Sequence, residues 1–404
     1  MEILHNVALA PLTTLGIGGQ ARYFVEVRTA DDAREAVLWS REYGHPLFTL
    51  GGGSNLVVAD AGWPGVVARM AIADIERRSA NHEILYDVGA GIAWDDFVRR
   101  VVDEDCAGVE CLSGIPGTVG GTPVQNVGAY GQEVSETIRS VRALDLDTFE
   151  VLDLENRECG FGYRGSRFNT VDRGRYMILR VTFALRPAGA PCLRYADLKA
   201  SFSERARPSL AEVRQAVLEI RRRKAMVVEE AEPDSRSAGS FFKNPLITRE
   251  HYRQIVERYE GRESLSAGAQ PERSAHRVAN ERAGLRVPGF EVTPSGTGQK
   301  FNEPVGRAEA AVARAPGSGG ERVKMPAAWL VEQAGVHRGF QLGPVAVSGK
   351  HALALVNRGG ATAADLLKLM KLVQAKVREA FAIELEAEPV FIGFDAEDKQ
   401  NVTV

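Results

Sequence analysis

Glycine, and where it sits, constrains this chain more than any other feature. The 41 glycines are bunched, as GIGG at 16–19, GGG at 51–53 and the run GIPGTVGGTPVQNVGAYG at 114–131. Residues without a Cβ let the backbone turn sharply and let main-chain N–H groups converge on an anion. The surroundings of each bunch decide its use. Gly16 to Ala21 fits G-x-G-x-x-A, but that fingerprint has meaning only between a strand and a helix. Here Pro11-Leu12-Thr13-Thr14 precedes it and the strand-like Arg22-Tyr23-Phe24-Val25 follows, so it reads as a turn. Gly51-Gly52-Gly53-Ser54-Asn55 joins one strand-like run, Pro46 to Leu50, directly to another, Leu56-Val57-Val58. A simple hairpin loop needs no three glycines. A phosphate cradle does need them, and Ser54 and Asn55 add donors. In Gly114-Ile115-Pro116-Gly117-Thr118-Val119-Gly120-Gly121 the proline is placed to open a helix, which predicts a second anion-binding edge, followed by Asn126.

Between the glycine runs, short strands and helices alternate. Tyr23 to Val27 reads as a strand, Ala30 to Tyr43 as a helix opened by Thr29 or Asp31, and Pro46 to Leu50 as a strand. Ser209 and Glu212 stand at capping-box spacing ahead of Val213, Val217 and Ile220, in a helix ending at Arg221-Arg222-Arg223-Lys224. Thr362 and Asp365 repeat that spacing before Leu366, Leu369, Met370, Val373, Val377 and Phe381, whose stripe is most simply core packing. The fold class is α+β. From Gly261 to Arg322 periodic apolar residues give way to Gly, Pro, Ser and charge, which predicts a loosely packed or mobile insertion.

Composition removes several classes. At 404 residues, 44% hydrophobic and 25% charged, the chain is an ordinary globular protein of about two or three domains. Lysine plus arginine (50) against aspartate plus glutamate (53) leaves no basic excess, so no nucleic-acid partner is expected. No apolar run approaches the roughly 20 residues of a membrane span. MEILHNVALAPL lacks a basic segment and a long apolar run, so no signal peptide is read and the expected location is the cytoplasm. Cys106, Cys111, Cys159 and Cys192 match no zinc spacing, and the seven histidines form no i, i+4 pair. Reduced thiols and no metal follow.

Two glycine cradles in the first third of a chain suit a ligand with two phosphates between them, and flavin adenine dinucleotide (FAD) fits. The strings TTLGIGGQARYF, LGGGSNLVV, SGIPGTVGGTPVQNVGAYG, CGFGYRGSRF, SAGSFFKNP, AAWLVEQAG and LEAEPVFIG together resemble the UDP-N-acetylenolpyruvoylglucosamine reductase (MurB) family, in its order and over nearly the whole chain apart from the insertion. The resemblance implies vanillyl-alcohol-oxidase type FAD-binding domains plus a C-terminal α/β substrate-binding domain. Residues 1–70 would form the first FAD subdomain with 384–404 returning to it, 71–212 the second, and 213–383 the substrate domain containing the insertion 261–322. It further implies non-covalent FAD held by Gly51, Gly52, Gly53, Ser54, Asn55, Ser113, Gly114, Ile115, Gly117, Thr118, Gly120, Gly121 and Asn126. The implied reaction is NADPH-dependent reduction of UDP-N-acetylglucosamine enolpyruvate to UDP-N-acetylmuramate, in peptidoglycan precursor synthesis, by a monomer. Tyr195 in LRYADL resembles the family's first structural type, in which a tyrosine loop covers the substrate.

Reducing an enol ether conjugated to a carboxylate requires a hydride at the methylene carbon, a proton at the neighbouring carbon, and stabilisation of charge between the two events. No side chain carries a hydride, so a cofactor must. Arg164 in Gly162-Tyr163-Arg164-Gly165-Ser166 suits charge stabilisation, because a guanidinium stays charged and pairs bidentately with carboxylate. Its plainer reading is a surface ion pair, and the family often has aspartate where Gly165 stands. Ser240 resembles the family's proton donor. Serine is a weak acid, and it serves only because a basic enolate takes the proton readily; the plainer reading is a turn or cap residue. Glu388 matches the third catalytic position, where desolvation keeps a carboxyl protonated. Glu384 and Glu386 are close confounders that sequence does not separate. Tyr195, Lys224 and Asn244 resemble residues holding the nucleotide diphosphate and sugar, although a lysine closing a helix is equally a solvated charge. Phe241 and Phe242 read as packing, and Glu229 to Glu232 as a solvated loop.

Two rival readings share much of this pattern. A FAD-linked oxidase of a small alcohol or sugar would keep the phosphate loops without GSFFKNP. A non-catalytic nucleotide-binding protein would keep the fold without needing Arg164, Ser240 and Glu388. Anaerobic bleaching of flavin by NADPH, and turnover of the enolpyruvyl substrate, separate the three.

Overall fold

The computed structural model describes residues 1–202, 207–267 and 322–395, with strand pieces at 286–287, 290–291 and 312–313. Its α-helices are α1 (Ala30–Glu42), α2 (Trp94–Asp103), α3 (Ala196–Ser201), α4 (Leu210–Arg223), α5 (Arg249–Ala267), α6 (Ala327–Gln333) and α7 (Ala363–Phe381). Three of them start where their capping boxes dictate: Thr29 with Asp32, Ser209 with Glu212, and Thr362 with Asp365. Each pair satisfies N–H groups that the first turn leaves without helical partners.

A four-stranded sheet runs in the order Leu4–Ala8, Gln20–Val27, Trp63–Met70, Leu47–Leu50. Its first pair is antiparallel and the others are parallel. A second, antiparallel sheet orders Val151–Glu155, Ile138–Asp145, Tyr176–Pro187, Glu83–Gly89 and Ile75–Ala80. One core spans both sheets, with Tyr86, Trp94, Phe97 and Phe183 fully buried at its centre and the rings of Phe97 and Phe183 4.9 Å apart. A separate core joins Phe241, Phe242 and Tyr252 to the stripe Leu366, Met370, Val373 and Val377 of α7. The strand Val390–Ile392 leaves that core and pairs in parallel with Leu56–Val58.

The strands flanking the loop at 51–55 do not pair with each other: Leu47–Leu50 pairs with Trp63–Met70, and Leu56–Val58 with Val390–Ile392. Three local expectations need correction. Pro116 opens no α-helix. The loop amides of Trp94, Val119 and Gly120 are tied across residues 90–94 and 117–120 by bonds of 2.9–3.0 Å, which leaves only the 3-10 turn Val119–Gly121. The boundary at 213 falls on α4, whose Val213, Val217 and Ile220 pack with Cys111, Tyr195 and Leu198, so this helix goes with the segment before it. α5 continues past Gly261 to Ala267, and Arg322–Lys324 is a strand paired with Leu246–Thr248. Apart from the pairs Arg286–Val287 with Phe290–Glu291 and Val312–Ala313 with Arg322–Lys324, the rest of the expected insertion lies outside the described residues. The G-x-G-x-x-A string is a packing turn ahead of a strand, where a Cβ on Gly18 would fall 2.4 Å from that of Val58. Among the described residues no helix is long and apolar enough to cross a membrane, and no cluster of His, Cys, Asp or Glu is arranged to hold a metal. The cysteines are free thiols.

Candidate active site

The two glycine loops touch backbone to backbone. A Cβ on Gly52 would lie 2.6 Å from Gly117 Cα, and one on Gly51 2.8 Å from Thr118 Oγ1. No side chain fits that seam, which is why the sequence keeps glycine on both sides. Ser54 Oγ lies against Gly117, which has a φ of +124°. Thr118 Oγ1 is buried and has no hydrogen-bond partner among the described residues. A buried hydroxyl left so costs about 1–3 kcal/mol and marks a place for a ligand. The seam and this hydroxyl fit the diphosphate of FAD.

Other predicted cofactor residues have their polar groups engaged within the protein. Gly114 N–H donates to Asp95 Oδ1 at 2.5 Å, and Arg214 binds the same carboxylate at 2.5 and 2.7 Å. Ser113 Oγ donates to Glu110 O at 2.7 Å, and Gly120 N–H to Ala90 O at 3.0 Å. Ile115 packs on the first core, while Gly121 faces open space. Asn126 braces the arginine turn, donating from Nδ2 to Glu133 Oε2 at 2.8 Å and to Gly162 O at 3.0 Å. Gly53 keeps a φ of +61°, and Asn55 Nδ2 donates to Glu388 O at 3.3 Å.

Arg164 occupies the tip of a tight turn closed by Gly162 N–H to Gly165 O at 2.9 Å, with a φ of +85°. Asn169 supports that turn, donating from Nδ2 to Arg164 O at 3.3 Å and accepting from Ser166 N–H at 2.9 Å. Arg164 Nε lies 3.8 Å from Glu388 Oε1, both side chains being about four-fifths covered (23% and 19% exposed).

Ser240 and Glu388 arrive on segments that pair with each other. Glu388 N–H donates to Phe241 O at 2.9 Å, Lys243 N–H to Glu386 O at 2.9 Å, and Phe242 bridges Ala387 antiparallel. That pairing separates the three glutamates. Glu384 pairs with Arg378 and Glu386 with Lys243 at 2.5 Å, both outward, while Glu388 turns toward Arg164. Burial pushes the Glu388 carboxyl above the usual range, against the opposing pull of Arg164, Lys243 and Lys324. Phe241 and Phe242 are core residues.

The remaining sequence candidates are dispersed. Lys224 closes α4 and its charge acts on His351. Tyr195 is 5% exposed at the start of α3, edge-on to Tyr130 at 5.2 Å. Asn244 Oδ1 accepts from Ala327 N–H at 2.8 Å, capping α6. Two residues escaped sequence reasoning. Lys324 Nζ sits 3.3 Å above the centre of the Tyr163 ring, and burial, then Arg164, drive its pKa down to about 7. His351 Nε2 lies 3.1 Å from Ser240 Oγ. The signal available for His351 was a lone histidine inside the apolar run VAVSGKHALALV.

A glycine seam carrying a buried hydroxyl with no partner among the described residues, set beside a cluster of arginine, glutamate, lysine and serine, defines an FAD-binding oxidoreductase with a second lobe. Residues 21–154 match the FAD binding domain model, and residues 231–392 match that of the UDP-N-acetylenolpyruvoylglucosamine reductase C-terminal domain. The chain is 42% identical over 393 residues to the UDP-N-acetylenolpyruvoylglucosamine reductase of Thermobifida fusca, covering 96% of this chain and 98% of the relative. To that of Streptomyces coelicolor it is 40% identical over 398 residues, covering 97% and 91%. The solved MurB of Thermus caldophilus has the same fold, with a TM-score of 0.56 and 23% identity over 96% of this chain and 98% of that one. The chain belongs to the UDP-N-acetylenolpyruvoylglucosamine reductase family.

Proposed function

We propose that this chain reduces UDP-N-acetylglucosamine enolpyruvate to UDP-N-acetylmuramate with NADPH as reductant and non-covalent FAD as carrier, in peptidoglycan precursor synthesis in the cytoplasm. The observation that carries this reading is the antiparallel pairing that sets Ser240 and Glu388 on neighbouring segments, with Arg164 3.8 Å from Glu388. Gly51, Gly52, Ser54, Gly117 and Thr118 would hold the flavin diphosphate, and FAD when bound supplies the hydride that no side chain can. Arg164 binds the substrate carboxylate and stays charged as negative charge grows there. Glu388, its carboxyl raised by burial, stays protonated more readily and donates a hydrogen bond to the same oxygens. Ser240 gives its proton to the carbon bearing the carboxylate. Lys224, ending a helix in a basic cluster, would hold the nucleotide diphosphate and sugar together with Tyr195 and Asn244.

The test is anaerobic and has two halves. NADPH should bleach the bound flavin, and the enolpyruvyl nucleotide should restore its colour at a rate that supports turnover. Bleaching without recovery overturns the substrate assignment. Bleaching by a small alcohol or sugar in place of NADPH, with the colour restored on admitting oxygen, would favour the oxidase reading, and protein that never binds flavin would favour a non-catalytic one.

A further inference from the structure

We propose that His351 is a positioning residue for proton donation: its Nε2–H donates to Ser240 Oγ, and so makes a weakly acidic alcohol able to give up its proton. This deepens the reading above and rests on it. The two atoms are 3.1 Å apart. If the serine O–H must point at a substrate carbon, the protein can engage only the oxygen's lone pairs, so the ring nitrogen facing it must carry hydrogen. As the proton leaves, the same N–H donates to the growing alkoxide, where a fixed donor is most effective.

The turn that carries the ring is pinned from the core. Buried Asp234 accepts from Ser348 Oγ and from Gly349 N–H, both at 2.7 Å. Ser348 Oγ in turn accepts from the N–H groups of Lys350 and His351, at 3.0 and 3.2 Å. Phe241 N–H donates to Leu353 O at 2.8 Å, which locks the serine segment to the same turn. The charges acting on the imidazole are all positive: Lys224 and Arg221 from the end of α4, and Arg338 from the loop after α6. Asp234 reaches the ring only through Ser348. Burial, followed by these cations, brings the imidazole down to about 4. It is neutral at working pH, so it serves as a hydrogen-bond donor rather than as an acid.

Nitrogen-15 NMR of the histidine-labelled holoenzyme, with His351 assigned by its loss in H351Q, reads the tautomer without turnover. The expected pattern is a protonated Nε2 and a bare Nδ1 at pH 7, unchanged until the pH nears 4. A ring protonated at Nδ1 alone, or titrating near 6.5, overturns the proposal. In stopped flow, His351→Ala should slow reoxidation of reduced flavin by the enolpyruvyl nucleotide about 100-fold, the usual cost of one fixed donor. His351→Gln, which keeps an N–H, should recover about tenfold of that, while NADPH-driven reduction stays near the parent rate in both. Parent-rate reoxidation in the alanine variant, or equal loss in both confined to substrate affinity, overturns it. If alanine does not fold, the glutamine variant and the NMR signal decide alone. Failure of the functional reading itself looks different, because parent enzyme would then not be reoxidised by this substrate while the tautomer would still be measurable.

Discussion

In the proposed mechanism Ser240 acts in only one of the two half-reactions. Ser240→Ala should leave flavin reduction by NADPH near normal, because that step takes no proton from the serine. Reoxidation by the enolpyruvyl nucleotide should fall about 100- to 10,000-fold, the range for one general acid. Ser240→Cys, a stronger acid of similar volume, should recover part of the loss. Stopped-flow reoxidation is the measurement, and an alanine variant reoxidising at the parent rate removes the serine from the mechanism. Lys324 makes a prediction about stability. In the unfolded chain it titrates near 10.5, and in the fold near 7. Between those values the unfolded chain binds the additional proton. The fold therefore carries the full cost of a buried charge below about pH 7 and sheds it as pH rises toward 10.5. Without substrate, Lys324→Met should raise the thermal midpoint at pH 6.5 and lose that advantage by pH 10. A gain equal at both values would mean that charge burial is not the cause. Sequence motifs pointed to Arg164, Ser240 and Glu388, but not to Lys324 or His351. Those two reach the site from segments 84 and 111 residues beyond Ser240, and only tertiary pairing brings them there.

Helix starts were legible because a capping box is local chemistry: side chain and N–H lie three residues apart and need nothing else. The loop at 51–55 was legible as a cradle for the same reason, and the partners of its flanking strands were not legible for the opposite one. Its flanking strands pair with Trp63–Met70 and Val390–Ile392, and the second partner lies more than 300 residues away. Pro116 misled because the main chain of 117–120 is already bonded to residues 90–92, so the amides that would open a helix are spent. The cradle is tested at Thr118. Thr118→Val removes a buried hydroxyl that has no partner among the described residues, so the flavin-free protein should be as stable as the parent or more so by about 1 kcal/mol. Flavin affinity should fall about tenfold, the worth of one hydrogen bond to a charged group. Fluorescence titration of the apoprotein with FAD measures it. Unchanged affinity would mean that the hydroxyl does not face the flavin.

At the scale of the whole molecule, the site is a meeting of distant segments: the loop at 51–55, the seam at 117–118, the turn at Arg164, and the paired segments at 240–243 and 386–388. The stretch between α5 and the strand Arg322–Lys324 contributes composition rather than motif. SLSAGAQPERSAHR and VARAPGSGGER hold few large apolar residues, so they have little to bury against either core. Its far end is secured on both sides, because Arg322–Lys324, which carries Lys324 into the site, pairs with Leu246–Thr248 and with Val312–Ala313. Replacing residues 268–310 with a short Gly/Ser linker, which spares those pairs, should therefore keep the sheet, the flavin content and the thermal midpoint. Turnover of the enolpyruvyl nucleotide should stay within about threefold of the parent, the scale of changes remote from the chemistry. Steady-state kcat and KM on flavin-replete protein decide the matter. A large drop in kcat with flavin retained would assign the stretch a part in closing over the substrate, whereas a rise in KM alone would assign it a part in binding the nucleotide.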